Sequence, residues 1–259
     1  MHPVLLNLGK FSIYTYGFFV AMGFLAAIWF ATWEAKRCGV DHEKIMDLAF
    51  YILIAAIVGS RLAYVATVPG EFAANPLDMF KIWKGGLVFY GGFIGAILTA
   101  IIYLRARHLP IWKTGDIIAP ALALGHFLGR IGCFFAGCCY GKTCELPWSI
   151  TFHDPASLAP INIPLHPTQL YSSAGNLMIF LVLLFVRRHR KFEGQIFWLY
   201  VLLYGVTRSV IEIFRGDYRG GEIMGVLSVS QTIGCSLALV AVVMLVVLAG
   251  KTGTKKISR

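Results

Sequence analysis

Seven long apolar stretches interrupt this chain, and few folds can use them. They run near 12–33, 45–67, 87–104, 117–137, 168–186, 195–214 and 228–250. At about 1.5 Å per residue, a helix of this length crosses about 30 Å of hydrocarbon. Inside a bilayer every backbone N–H and C=O must be bonded within the protein, so such spans read as helices. Their length, and the lack of short alternating segments, argue against a transmembrane barrel. A chain that is 58% hydrophobic and 14% charged, with a mean hydropathy of +0.71, is not an ordinary soluble domain. The expected fold class is an all-α integral membrane protein with seven transmembrane helices. The first stretch lacks a basic leading region and a small-residue cleavage site, so it reads as a retained helix. No linker, low-complexity segment or repeat divides the chain, and residues 1–259 read as one transmembrane domain.

The net charge of +10 invites a nucleic-acid partner, but its distribution refuses one. An odd number of spans puts the two ends on opposite sides. Fourteen basic residues fall on one side: Lys36, Arg37, Lys44, Arg105, Arg107, Lys113, Arg187, Arg188, Arg190, Lys191, Lys251, Lys255, Lys256 and Arg259. Six fall on the other: Lys10, Lys81, Lys84, Lys142, Arg215 and Arg219. Basic loops stay in the cytoplasm, which puts the N-terminus outside and the C-terminus inside. The longer loops, near 68–86 and 138–167, are then extracytoplasmic.

Arg61, Arg130 and Arg208 lie within spans. With that topology each sits roughly 9–10 Å below the outer end of its helix, and Tyr16 and Tyr90 fall in the same outer layer. An arginine at mid-span costs about 2.5–3.5 kcal/mol on insertion scales. A single one reads as snorkelling or as a structural ion pair. Three at matched depth, with Glu212 as the obvious intramembrane partner, leave positive charge over. A bound anion would balance it, and a guanidinium fork fits phosphate oxygens better than an ammonium does. Tyr204, Arg208, Glu212 and Arg215 follow at spacings of four, four and three, which makes one helical stripe. Glu212 reads equally as a rung of a plain salt-bridge ladder.

His126, one turn before Arg130, reads as a packing residue. His166 in LHPTQLY is either a group that titrates near neutral pH or a loop anchor. Thr168 is a candidate N-cap for the following helix. The glycines near Tyr90 and Arg130 suit close helix approach, and Gly92 also suits the approach of a lipid head group. Cys133, Cys138, Cys139 and Cys144 cluster around the end of the fourth span. A disulfide from Cys144 to Cys138 or Cys139 is the first reading. A zinc site with His153 or His166 comes second, because the usual paired CxxC spacing is missing. Thiol–disulfide exchange comes third and would make the chain a membrane oxidoreductase. A non-enzymatic binder or transporter of anionic lipid is a further class, though no broken helices or inverted repeats support it.

GRIGCFFAGCCYG at 129–141 resembles the GRxGNFxNxExxG signature of the bacterial phosphatidylglycerol–prolipoprotein diacylglyceryl transferases. The resemblance extends to YTYGFF around Tyr16, VGSRLAYV around Arg61, GGLVFYGGFIG around Tyr90, HPTQLY at 166–171 and YGVTRSVIEIFR at 204–215. It implies a multi-pass enzyme of the bacterial inner membrane. Such an enzyme moves the diacylglyceryl group of phosphatidylglycerol to the lipobox cysteine of a preprolipoprotein signal peptide and releases glycerol phosphate. The resemblance implies catalytic roles for Arg130, Arg208 and Tyr90, and phospholipid contacts from Arg130, Arg208, Arg61, Tyr16 and Gly92. Tyr204, Glu212, Arg215 and His166 would support them. No metal or other cofactor is expected, and no nucleic acid. Where the signature has two asparagines and a glutamate this chain has Cys133, Ala136 and Cys138. Tyr90 stands where the family usually has a histidine, and a tyrosine with a pKa near 10 orients better than it abstracts protons.

Overall fold

The computed structural model describes residues 2–8, 11–73, 75–81, 85–217, 222–223 and 227–257. A hairpin of β1 (Val4–Leu8) and β2 (Phe11–Tyr14) leads into α1 (Thr15–Arg37). Next come α2 (His42–Thr67), the short α3 (Pro69–Ala73), a 3-10 turn at Pro76–Phe80 and α4 (Phe89–Ala106). After α5 (Ile111–Ala136), a long loop carries two-residue strands, β3 (Ile150–Thr151) and β4 (Pro164–Leu165). The chain continues through α6 (Thr168–Val186) and α7 (Gln195–Ile213) to a second two-residue pair, β5 (Glu222–Ile223) and β6 (Leu227–Ser228). It then enters α8 (Val229–Ile257). Seven helices among the described residues are long and apolar enough to cross a membrane: α1, α2 and α4 to α8.

The apolar stretches locate these helices well and their ends less well. α6 matches its predicted limits to the residue. The first helix starts at Thr15 rather than near 12, because Phe11–Tyr14 pairs with β1 and the Thr15 N–H donates to the Pro3 carbonyl. α2 starts three residues early, at His42, because the Asp41 carboxylate caps it by accepting the Glu43 N–H at 3.0 Å.

The chain divides into two compact units, residues 32–114 and residues 1–31 with 115–259. In the first, α2 and α4 touch along small residues. A Cβ on Gly59 would lie 2.5 Å from the Gly91 carbonyl oxygen, and one on Gly95 2.7 Å from that of Ala55. Without a hydrophobic force between helices in lipid, this backbone-to-backbone approach supplies the packing.

In the second unit α1 meets α5 in the same way, at Gly23 against Gly125 and at Gly132 against Tyr16. Phe19 stacks on Phe135 alongside. Gly205 of α7 sits against Gly234 of α8, and Gly175 of α6 against Thr207 of α7. Ala119, Ala123, Ile179, Leu183, Ile196 and Tyr200 form the core shared by α5, α6 and α7. Asp116 closes the corner between α5 and α7. Its carboxylate accepts the Gly194 and Phe197 N–H groups at 2.8 and 3.0 Å, which satisfies donors at the start of α7 that have no partner within the helix.

Candidate active site

The turn after α5 decides the local geometry. Gly137 has φ +74°, and a Cβ there would lie 2.1 Å from Ser157 Oγ, so glycine is required. Cys139 also takes a left-handed φ of +62°, uncommon for a residue with a side chain. α6 pins the turn: Thr168 Oγ1 donates to the Cys139 carbonyl at 2.7 Å, and Gln169 Nε2 donates to that of Cys138 at 2.9 Å. Thr168 therefore does not cap its own helix; Pro167 holds that position. The pinned turn folds back on α5 until the sulfurs of Cys133, Cys138 and Cys139 lie within 4.8 Å of one another. No disulfide joins any of the six cysteines, so the expected Cys144 disulfide is not formed. Cys144 stays outside the trio because its N–H is tied to the Pro164 carbonyl, across the loop. Hydrogen bonding to the sulfurs of Cys133 and Cys139, and burial after that, push the Cys138 thiol above its ordinary value. As a free thiol it is a poor nucleophile.

Arg130 stands at the edge of this trio, with Nη1 3.7 Å from Cys139 Sγ. Its other neighbours are the sulfur of Cys133 and the Tyr204 hydroxyl from α7. Tyr16 faces the same group, brought there by the α1–α5 contact at Gly132. Three helices thus converge on one guanidinium. His126 hydrogen-bonds the Tyr200 hydroxyl at 3.2 Å and packs on the Tyr204 ring, in keeping with its reading as a packing residue. No carboxylate among the described residues pairs with Arg130.

One turn beyond Tyr204, the α7 stripe is charge-balanced. Arg208 pairs with Glu212 through Nη1 and donates to Ser230 Oγ of α8 at 3.1 Å. Glu212 also accepts from Ser228 Oγ, and Arg215 approaches it at 3.6 Å. Asp217, absent from the sequence reading, takes the Arg215 fork with contacts of 2.7 to 2.9 Å. Two arginines meet two carboxylates, so the ladder leaves no net charge. Residues 140–142 then run beside 214–216, with Lys142 N–H to the Phe214 carbonyl and Gly216 N–H to that of Tyr140. His166 locks this junction as an anchor: its N–H and C=O bond Lys142 and Gly141, and its ring packs on Phe214.

In the other unit the structure redirects two expected site residues. Arg61 is buried and gives its guanidinium to four backbone carbonyls, those of Asp78, Met79, Gly85 and Gly86, at 2.6 to 3.0 Å. Tyr64 and Phe72 flank it. With at most one N–H left over, it holds a loop rather than gripping a phosphate. Gly92 faces α2: a Cβ would stand 2.2 Å from Ser60 Oγ, so it serves helix packing and not head-group approach. Tyr90 is half exposed on α4, edge-on to Phe89.

The family model for prolipoprotein diacylglyceryl transferase matches residues 3–247. The chain belongs to that family. Among curated relatives, the phosphatidylglycerol–prolipoprotein diacylglyceryl transferase of Clostridium tetani is 37% identical over 242 residues, 93% of this chain and 96% of its own length. The enzyme of that name from Geobacter sulfurreducens is 32% identical, with 95% of each chain covered. That of Geobacillus kaustophilus is 34% identical over 97% of this chain and 94% of its own. The oxidoreductase and transporter readings therefore give way to a transferase.

Proposed function

We propose that this transferase works at the convergence of α1, α5 and α7, with Arg130 gripping the phosphodiester of phosphatidylglycerol. The supporting observation is the contrast in charge. The α7 ladder is balanced internally, whereas Arg130 has thiols, tyrosine hydroxyls and the His126 imidazole around it and no carboxylate among the described residues. A bound phosphate would offset the desolvation of that guanidinium and receive its planar fork.

The acceptor is the thiol of a lipobox cysteine in a prolipoprotein signal peptide. Its sulfur attacks the glyceryl carbon and gives up its proton to solvent, the carbon–oxygen bond to phosphate breaks, and glycerol phosphate leaves with the electron pair. Tyr16 and Tyr204 orient Arg130 and the lipid phosphate. Arg208, fixed by Glu212 and Ser230, stabilises charge that develops on the leaving phosphate. Arg215 and Glu212 hold Arg208 in place, and His166 holds the loop junction. The reaction takes place in the outer leaflet of the bacterial inner membrane, with the N-terminus outside and the C-terminus in the cytoplasm.

The test is direct. Purified protein incubated with phosphatidylglycerol and a lipobox peptide should add one diacylglyceryl mass to the peptide cysteine. Absence of that product with folded protein would refute the assignment. A reporter fused after residue 259 should be active only in its cytoplasmic form; periplasmic activity would reverse the topology.

A further inference from the structure

We propose that Cys133, Cys138 and Cys139 hold a zinc ion whose fourth coordination position receives the acceptor thiol. This rests on the thiol-acceptor reaction proposed above.

The geometry comes first. Zinc with Zn–S bonds of about 2.3 Å at tetrahedral angles needs sulfurs roughly 3.8 Å apart. The three sulfurs already lie within 4.8 Å of one another, so movements of about an ångström close the site. This convergence is held from outside the trio. Cys133 belongs to α5, while Cys138 and Cys139 sit on a turn whose carbonyls are tied to Gln169 and Thr168. The left-handed φ of Cys139 belongs to the same pinned turn that sets its sulfur beside the other two.

Charge comes second. Three thiolates around Zn²⁺ leave one net negative charge, and the Arg130 guanidinium, with Nη1 3.7 Å from Cys139 Sγ, is shared between that charge and the lipid phosphate. Zinc sites that keep three protein ligands are the open ones, where a water or substrate completes the tetrahedron.

The chemistry follows. The acceptor thiol binds in the open position and releases its proton to solvent. Its zinc-held sulfur then forms the carbon–sulfur bond as the carbon–oxygen bond of phosphatidylglycerol breaks, and glycerol phosphate departs with the electron pair. No atom changes oxidation state, and no side chain is needed as base. Without the ion, a free thiol with a pKa near 8.5 is only a few per cent thiolate at pH 7.

The experiment uses the full chain in nanodiscs, reduced, treated with a chelator, and titrated with Co²⁺ as a spectroscopic probe. The expected result is sulfur-to-cobalt charge-transfer absorption from one tetrahedral ion per chain, displaced by Zn²⁺. It should be lost in Cys133→Ala, Cys138→Ala and Cys139→Ala and kept in Cys144→Ala. Transfer to the lipobox peptide at pH 7 should fall about thirtyfold on chelation and recover with Zn²⁺. No cobalt–thiolate absorption in the reduced parent, or absorption that survives in all three variants, would overturn the site. Transfer that ignores chelation would overturn the inference while leaving the reaction standing. A cobalt site with no transfer in any metal state would overturn the reaction, and the fourth-ligand role with it.

Discussion

Arg61 and Arg130 look alike in sequence: each lies inside an apolar span, close behind a glycine. Their surroundings separate them. Arg61 spends its donors on carbonyls of its own loop, with two aromatic rings alongside. Arg130 has a thiol at 3.7 Å, two tyrosines and no carboxylate among the described residues. A buried charge marks an expense, but only its partners show whether the expense serves architecture or a ligand. Variants of the two arginines should therefore fail in different assays.

The largest effect is expected at Arg130. Lysine keeps the charge but loses the fork, so Arg130→Lys should lose roughly 2–4 kcal/mol of transition-state stabilisation, a hundredfold or more in transfer rate. Its melting temperature in detergent should stay near that of the parent. Near-parental transfer would make Arg130 a structural residue like Arg61 and erase the contrast.

Next comes Arg61→Lys. An ammonium has three donors and cannot span four carbonyls, so about two charge-assisted bonds are lost, roughly 2–3 kcal/mol of stability. The readout is thermal unfolding together with faster proteolysis around residues 75–86. Phosphatidylglycerol binding by the protein that remains folded should be unchanged. A selective loss of lipid affinity without a stability change would return Arg61 to the phosphate.

These two residues also show what the sequence carried. Hydropathy located all seven spans, since each must shield its backbone from lipid. Spacing placed Tyr204, Arg208, Glu212 and Arg215 on one stripe, and the structure joins the last three as an ion ladder. Side-chain periodicity does not report main-chain partners, so the carbonyl cradle of Arg61 was invisible. Asp217 was missed because it lies beyond the end of α7, off the helical register. The sulfur trio depends on a left-handed Cys139 and on two side chains about thirty residues further along the chain. The polar run Thr168, Gln169, Ser172, Ser173 and Asn176, at helical spacing and buried on one face of α6, was the available signal for that support.

Glycines extend the contrast at smaller scale. Gly92→Ala should destabilise by about 1–3 kcal/mol, since the new methyl meets Ser60 Oγ at 2.2 Å and the Ala56 carbonyl oxygen at 2.8 Å. Unfolding in detergent measures it. Adding Ser60→Gly should relieve only part of the loss, because the carbonyl belongs to the α2 backbone and cannot move alone.

Gly129, next to Arg130, should show the smallest effect, of opposite sign. A Cβ there meets nothing within 4 Å among the described residues, and its φ is not in the left-handed region. Its neighbours in α5 are already helical, so alanine only removes conformational freedom from the unfolded chain. Gly129→Ala should therefore stabilise by up to about 1 kcal/mol, as a glycine replaced inside a helix usually does. The same substitution thus has opposite signs at Gly92 and Gly129, decided by whether another helix occupies the space. Transfer activity is the sharper readout at Gly129. If the lipid phosphate approaches Arg130 from the sulfur and tyrosine side, the added methyl leaves the rate within about twofold, since an energy below 0.5 kcal/mol is typical of a site without contacts. A stable Gly129→Ala protein that transfers a hundredfold more slowly would mean that the lipid lies on the open side of α5. The phosphate would then reach the guanidinium across Gly129, away from the sulfur trio.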